Sequence, residues 1–149
     1  METNKRKPKS VFREGAISAE SIGVSIGNHQ TKTTIGAHSI FLGQVRADEI
    51  NGKQVAAIEY TANVEMAEGE IFKIREAAFE KFDLTCMHIY HSLGMVKVGE
   101  ICLFVFTSSK HRAEAQRATD YIVEEIKKKA PIFGKELFED ESHQWKVNR

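Results

Sequence analysis

Cysteine is nearly absent from this 149-residue chain: Cys86 and Cys102 are the only two, so no disulfide framework holds it together. Net charge is absent as well. Lys plus Arg number 21 and Asp plus Glu number 21, which argues against a dedicated nucleic-acid binder, whose domain usually carries a positive excess. Long apolar runs are also lacking. The longest clean one, Ile101 to Phe106, falls well short of the ~20 residues that span a bilayer and suits a buried strand. The opening Met-Glu-Thr-Asn-Lys-Arg-Lys has no apolar stretch of the secretory kind, so the expectation is a soluble, cytoplasmic protein with no membrane partner. What is present is a globular composition, 42% hydrophobic and 28% charged, which excludes a disordered or collagen-like chain. At ~100–200 residues per domain, the length predicts one domain.

The expected division is a flexible basic arm over residues 1–10, carrying Lys5, Arg6, Lys7 and Lys9, and a single domain over 11–149. A short amphipathic helix is expected from Ser18, with Ile22 and Ile26 one turn apart. Ile35 to Val45 reads as a strand, Asn51-Gly52 as a hairpin turn and Val55 to Thr61 as the returning strand. Asn63 is placed to cap a helix running to about Phe82, whose Ala67, Ile71, Ile74, Ala78 and Phe82 share one face. Leu84 to His91 predicts a strand, Gly94 and Gly99 bracket a connection, and Glu100 to Thr107 predicts a central strand, apolar on both faces. Ser108 or Ser109 is expected to cap a second long helix, with Ala115, Ala118, Ile122 and Ile126 buried, stopped before Pro131. A last hairpin is expected over Glu139-Asp140-Glu141-Ser142. Helices alternating with hairpin-connected strands indicate an α+β fold with a mixed, partly antiparallel sheet.

Few residue clusters suggest chemistry. Cys86, His88 and His91 are zinc-ligand types, but on a strand Cys86 and His88 share a face while His91 points to the other, so no metal site is expected. Cys102 reads as a small core residue. Thr107-Ser108-Ser109-Lys110-His111-Arg112 is more suggestive, because a strand passes there into a helix whose first N–H groups and positive dipole end favour an anion. Cations there repel that end, and a bound phosphate would explain them. At the other end of the helix, Lys127, Lys128 and Lys129 fan about 100° apart and cannot all face one pocket. Lys127 follows Ile126 and falls at the border of the buried stripe.

Taken in order, Gly43-Gln44-Val45-Arg46, Val98-Gly99-Glu100, Ser108-Ser109-Lys110-His111-Arg112 and Ile126-Lys127-Lys128-Lys129-Ala130-Pro131-Ile132-Phe133-Gly134-Lys135-Glu136 resemble the large, catalytic subunit of molybdopterin synthase. The likeness runs from about Gly36 to Trp145. It implies an α/β hammerhead-like fold with a small added β-hairpin subdomain. It also implies a homodimer within a heterotetramer, the partner being a small ubiquitin-like sulfur carrier with a C-terminal thiocarboxylate. The implied reaction is sulfur transfer to precursor Z, a cyclic pyranopterin monophosphate, giving the molybdopterin dithiolene without a metal or other cofactor. The family's essential lysine falls on Lys127, its substrate-contacting arginine on Arg46 and its His-Arg pair on His111 and Arg112. Gln44, Val45 and Glu136 come within the same matched blocks as substrate-binding candidates. Where the family usually carries the first of two lysines after the proline, this chain has Gly134, and Lys135 is the adjacent candidate for that catalytic role.

His111 and Lys127 are expected at opposite ends of one helix, roughly 24 Å apart at 1.5 Å per residue. One pterin-sized ligand cannot touch both, so a second copy is expected to complete each site. The competing readings are a noncatalytic relative that binds the carrier and a small RNA-binding module using the basic arm. The second would want exposed aromatic residues among its cations.

Overall fold

The computed structural model describes residues 10–148, so nearly all of the expected basic arm lies outside the described residues. The elements in chain order are β1 (Phe12–Glu14), α1 (Ala19–His29), β2 (Ala37–Gln44), β3 (Glu49–Ile50), β4 (Lys53–Ala62), α2 (Val64–Lys81), β5 (Cys86–Lys97), β6 (Ile101–Ser109), α3 (Arg112–Lys129), β7 (Ile132–Phe138) and β8 (His143–Trp145). The fold is α+β. Its sheet runs β2-β6-β5-β4-β7-β8, with β3 paired to β4 and β1 to β5. The β1–β5 pairing is parallel and the other pairings are antiparallel, as a mixed sheet requires.

Alternation along β6 explains its apolar character on both faces. Leu103 and Val105 join the main core with Ile71, Ile74, Ala118 and Ile122 from α2 and α3. Phe104 and Phe106 point the other way and pack with Ile17 and Ile22 beneath α1. Successive strand residues face opposite sides, so a strand covered by helices on both faces must be apolar throughout. The helix starts are locally encoded: Ser18 accepts from Ser21 N at 3.0 Å and Asn63 accepts from Met66 N at 3.2 Å. Asn51 and Gly52, both at positive φ, turn β3 into β4.

Two boundaries differ from expectation. The first is β5, which does not end at His91 but continues to Lys97. Its first half pairs with β6 as far as His91↔Leu103, and its second half pairs with β4 from Tyr60↔Gly94 to Ala57↔Lys97. Gly94 lies inside this strand at φ +80, and a Cβ there would collide with the Glu14 carboxylate. Glycine therefore lets the strand leave one partner for another. The second is β6, which runs through Ser108 and Ser109 because β2 pairs with both. Neither serine caps α3; His111 takes the N-cap position and makes no side-chain cap bond. Ser108 Oγ instead meets His38 Nδ1 at 2.8 Å, and Ser109 Oγ donates to His111 O at 2.5 Å. No helix among the described residues is long and apolar enough to cross a membrane.

Candidate active site

A cavity of about 690 Å³ opens where β2, β4, β6, β7 and the end of α3 converge. Its wall carries Gln44 and Arg46 from the end of β2 and the loop after it, Tyr60 from β4, Cys102 from β6 and Glu136 from β7. Lys127 enters from the last turn of α3, and Gln144 to Val147 close one side. Pairing fixes which β7 residues look inward. Ile58↔Glu136 and Tyr60↔Gly134 are opposite one another on the site face, whereas Glu59↔Lys135 occupies the opposite face.

Lys127 keeps solvent-accessible area because the cavity is open, yet protein surrounds it on enough sides to disfavour its charge. Burial lowers its pKa below the ordinary value, Cys102 opposes that shift and the neighbouring Lys146 charge adds to it. A lysine so placed gives up a proton more readily than one in water. Arg46 is mostly exposed and is held from one side: its Nε and Nη2 donate to Asp48 at 2.6 and 3.1 Å. That forked bond, and then the Asp48 charge, keep the guanidinium protonated. Burial, then Cys102, push the Tyr60 phenol above its ordinary range, so it stays protonated. Glu136 is buried and accepts from Gln144 Nε2 at 3.4 Å.

A comparison with known protein families matches residues 16–129 to the MoaE protein family. A molybdopterin synthase catalytic subunit of Pyrococcus abyssi is 39% identical over 140 residues, covering 94% of this chain and 86% of its own. The chain belongs to the MoaE family. The human molybdopterin synthase catalytic subunit is 39% identical over 114 residues, 76% of this chain, and the match spans only 60% of its length. Molybdopterin synthase from Staphylococcus aureus has a crystal structure that superposes with a TM-score of 0.78 at 29% identity, covering 92% of this chain and 96% of that one.

In this member of the MoaE family, Gln44, Arg46, Lys127 and Glu136 line one cavity. The other five positions named from sequence lie elsewhere. Val45 is 1% exposed, so its side chain belongs to the core, and only its backbone serves the site by pairing with Gly99 and Glu100. Lys135 does not line the cavity. It lies on the outer face of β7, its Nζ 3.5 Å from Glu59 and 5.8 Å from the centroid of Trp145. His111 and Arg112 are exposed at the far end of α3, away from Lys127. Gly134 borders a smaller cavity behind Lys127. A Cβ on Gly134 would stand 3.0 Å from Ile58 Cγ2 and 3.3 Å from Tyr60 Cε1, so this chain has little room for the family's lysine there.

The sequence does not single out Tyr60, Gln144 or Lys146, and it marks His91 only as a rejected zinc-ligand type. Tyr60 lay in a predicted strand and Lys146 in a predicted hairpin, and neither position carries a chemical signature until the strands pair. Cys102 is buried as expected, with its thiol donating to Gly43 O at 3.4 Å, but it also forms part of the cavity wall. Cys86 lies 2.9 Å from Lys32 Nζ, and His88 Nε2 meets His29 Nε2 at 2.8 Å beneath α1.

Proposed function

We propose that the chain is the catalytic subunit of a molybdopterin synthase, converting precursor Z into the molybdopterin dithiolene with sulfur from a carrier's C-terminal thiocarboxylate. The supporting observation is Lys127, a lysine of lowered pKa inside a cavity shared with Arg46 and Lys146. The carrier's sulfur is the nucleophile, so the reaction asks no protein residue to attack. A carbon–sulfur bond forms at the pterin side chain and a carbon–oxygen bond breaks, with Lys127 giving its proton to the departing oxygen. Water then cleaves the acyl–sulfur bond, leaving one sulfur on the pterin and a carboxylate on the carrier; a second thiocarboxylated carrier repeats the exchange of oxygen for sulfur at the adjacent carbon, giving the two sulfurs of the dithiolene. Arg46 and Lys146 hold the negative charge that the cyclic phosphate and the carrier terminus bring. Gln44 offers neutral hydrogen bonds at the rim.

His111 and Arg112 join this reading through a second copy of the chain. α3 is an 18-residue helix, and a ligand at Lys127 is out of reach of its other end. A homodimer with one isologous contact completes two equivalent sites, each with Arg46 and Lys127 from one chain and His111 and Arg112 from its partner. Docking of two carriers gives a heterotetramer. The test is reconstitution of the purified chain with a thiocarboxylated carrier and precursor Z, assaying dithiolene. Formation of dithiolene that depends on both additions is the expected result. Its absence with a carrier demonstrably bound refutes the reading.

A further inference from the structure

Behind Lys127 lies a second, small cavity of about 30 Å³ whose wall includes Tyr60, His91, Lys127, Gly134 and Lys146. His91 belongs to β5 and is 2% exposed, a rare degree of enclosure for a titratable side chain. Its ring is fixed on three sides. Nδ1 lies 2.8 Å from Ser92 O, the ring meets Tyr60 edge to face at 5.0 Å and 82°, and Phe12 stands 6.3 Å away at 64°. A carbonyl oxygen only accepts, so Nδ1 carries the proton and Nε2 carries a lone pair. Burial, with the Lys127 charge adding to it and the Ser92 carbonyl opposing, lowers the His91 pKa to about 4. The imidazole therefore stays neutral, and Nε2 remains an acceptor at neutral pH. A space of that volume has room for one water, which needs more than ~10–15 Å³.

We propose that His91 is the positioning residue for Lys127, its Nε2 accepting a hydrogen bond from the Lys127 amine through one water in the small cavity. Three N–H groups leave an ammonium in fixed directions. Engaging one of them from behind turns the other two toward the main cavity. When Lys127 has given up a proton, the same bond holds a remaining N–H to the rear and leaves the lone pair facing the substrate side. The other titratable groups lining the two cavities are Arg46 and Asp48 after β2, Glu49 from β3, Tyr60 from β4, Cys102 from β6, Glu136 from β7 and Lys146 from the C-terminal segment; of these, Tyr60 and Lys146 also border the small one. Tyr60 is kept protonated by its burial, and the Lys146 ammonium cannot accept. His91 supplies a rigid neutral acceptor at the rear.

This inference deepens the proposed sulfur transfer, and its experiment reads Lys127 separately from turnover. The intact chain with its carrier is prepared as wild type, His91→Gln, His91→Asn and His91→Phe. Gln offers an acceptor near the Nε2 position, whereas Asn keeps only the donor near Nδ1 and Phe keeps neither. The pH dependence of Lys127 acylation by an amine-selective reagent, followed by peptide mass spectrometry, gives its titration even if no dithiolene forms. The expected result is a lower Lys127 pKa in His91→Asn and His91→Phe, because an acceptor for the ammonium is gone, with His91→Gln close to wild type. In the dithiolene assay kcat should fall by about tenfold to a hundredfold in the first two variants, KM should change little, and His91→Gln should recover most of the rate. If His91→Phe fails to fold, the Asn and Gln pair decides. A Lys127 titration equal in folded wild type, Gln and Asn proteins overturns the proposal, whatever the turnover. Failure of wild-type turnover alone counts against the proposed function and leaves the Lys127 titration to judge His91.

Discussion

His111 and Lys127 stand at opposite ends of α3, the first at its N-cap and the second in its last turn. The helix is straightforwardly amphipathic, so nothing in its own packing brings the two together. If both serve one substrate, subunit mixing reveals it. Lys127→Ala and His111→Ala proteins are each expected to be inactive. Their heterodimers should regain about half the wild-type rate, since both lesions fall in one site and leave the other whole. Heterodimers verified by mass that stay inactive would rule out a shared site.

Lys127→Ala should abolish turnover with little change in thermal midpoint. A lysine at a helix C-terminus contributes only a few tenths of a kcal/mol, up to about 1, through the helix dipole. Lys128→Ala and Lys129→Ala should remain near wild type in rate. Lys129 already pairs with Glu125 at 3.2 Å, and both lysines are exposed. Equal loss in all three variants would show a general charge effect. With Lys127 as the acid, as proposed, and its pKa lowered, kcat should fall on the alkaline side at a pH below the ordinary lysine value of about 10.5.

Arg46 and Asp48 give a graded test of anion binding. Arg46→Ala should raise KM for the pterin by about tenfold, the usual scale for a charge-assisted contact. Asp48→Asn should move it less than about fivefold, because the ion pair that competes with substrate is open to water and weak. Titration of substrate against the two proteins checks the order. A larger effect at Asp48 would mean that the pair itself, rather than the freed guanidinium, shapes the site.

Gly134 carries a steric expectation that opposes the usual one. Replacing glycine by alanine in a strand generally stabilises through the unfolded chain. Here the new methyl crowds Ile58 and Tyr60, so Gly134→Ala should lower the unfolding free energy by about 1–2 kcal/mol, read from urea melts. An unchanged or raised midpoint would show that Tyr60 yields without cost.

His91 should also leave a mark on acid stability. Its pKa in the fold is about 4, whereas a free histidine titrates near 6.5, so the unfolded chain takes up the proton first as pH falls. The stability associated with a neutral His91 is present above about pH 6.5 and is lost progressively down to about pH 4, by roughly 3 kcal/mol. His91→Gln should flatten that part of the curve in denaturant titrations across this range. A wild-type curve as flat as the variant's would show that His91 can be protonated in the fold.

The helices and most strands were legible because their signals are local. Asn63 and Ser18 cap as their side chains dictate, and the 3.6-residue stripes of α2 and α3 are the buried faces observed. The strand ends were less so. Ser109 looks like a cap in sequence, but β2 extends alongside it and ladder pairing outweighs the local preference. Gly94 reads as a turn because glycine usually marks one, and nothing nearby in sequence tells that β4 will take over from β6. The same limit governs Lys135 and Glu136. Consecutive residues of a strand point to opposite sides, and only the register with Ile58 and Glu59 decides which one meets Lys127. Lys146 was invisible for the same reason, and His91 stood out only as a zinc-ligand type, since each comes beside Lys127 only through contacts distant in sequence.

The passage of β5 from one partner to the other has a consequence for how the protein opens. His91, Ser92 and Leu93 also pair with β1, so this stretch is tied to a third strand just where the two ladders meet. Fraying of either half would strip support from the other, and the two halves should behave as a single foldon. Amide deuterium uptake at β6 and at the β4–β5 ladder should then share one opening free energy, with the edge strand β8 exchanging first.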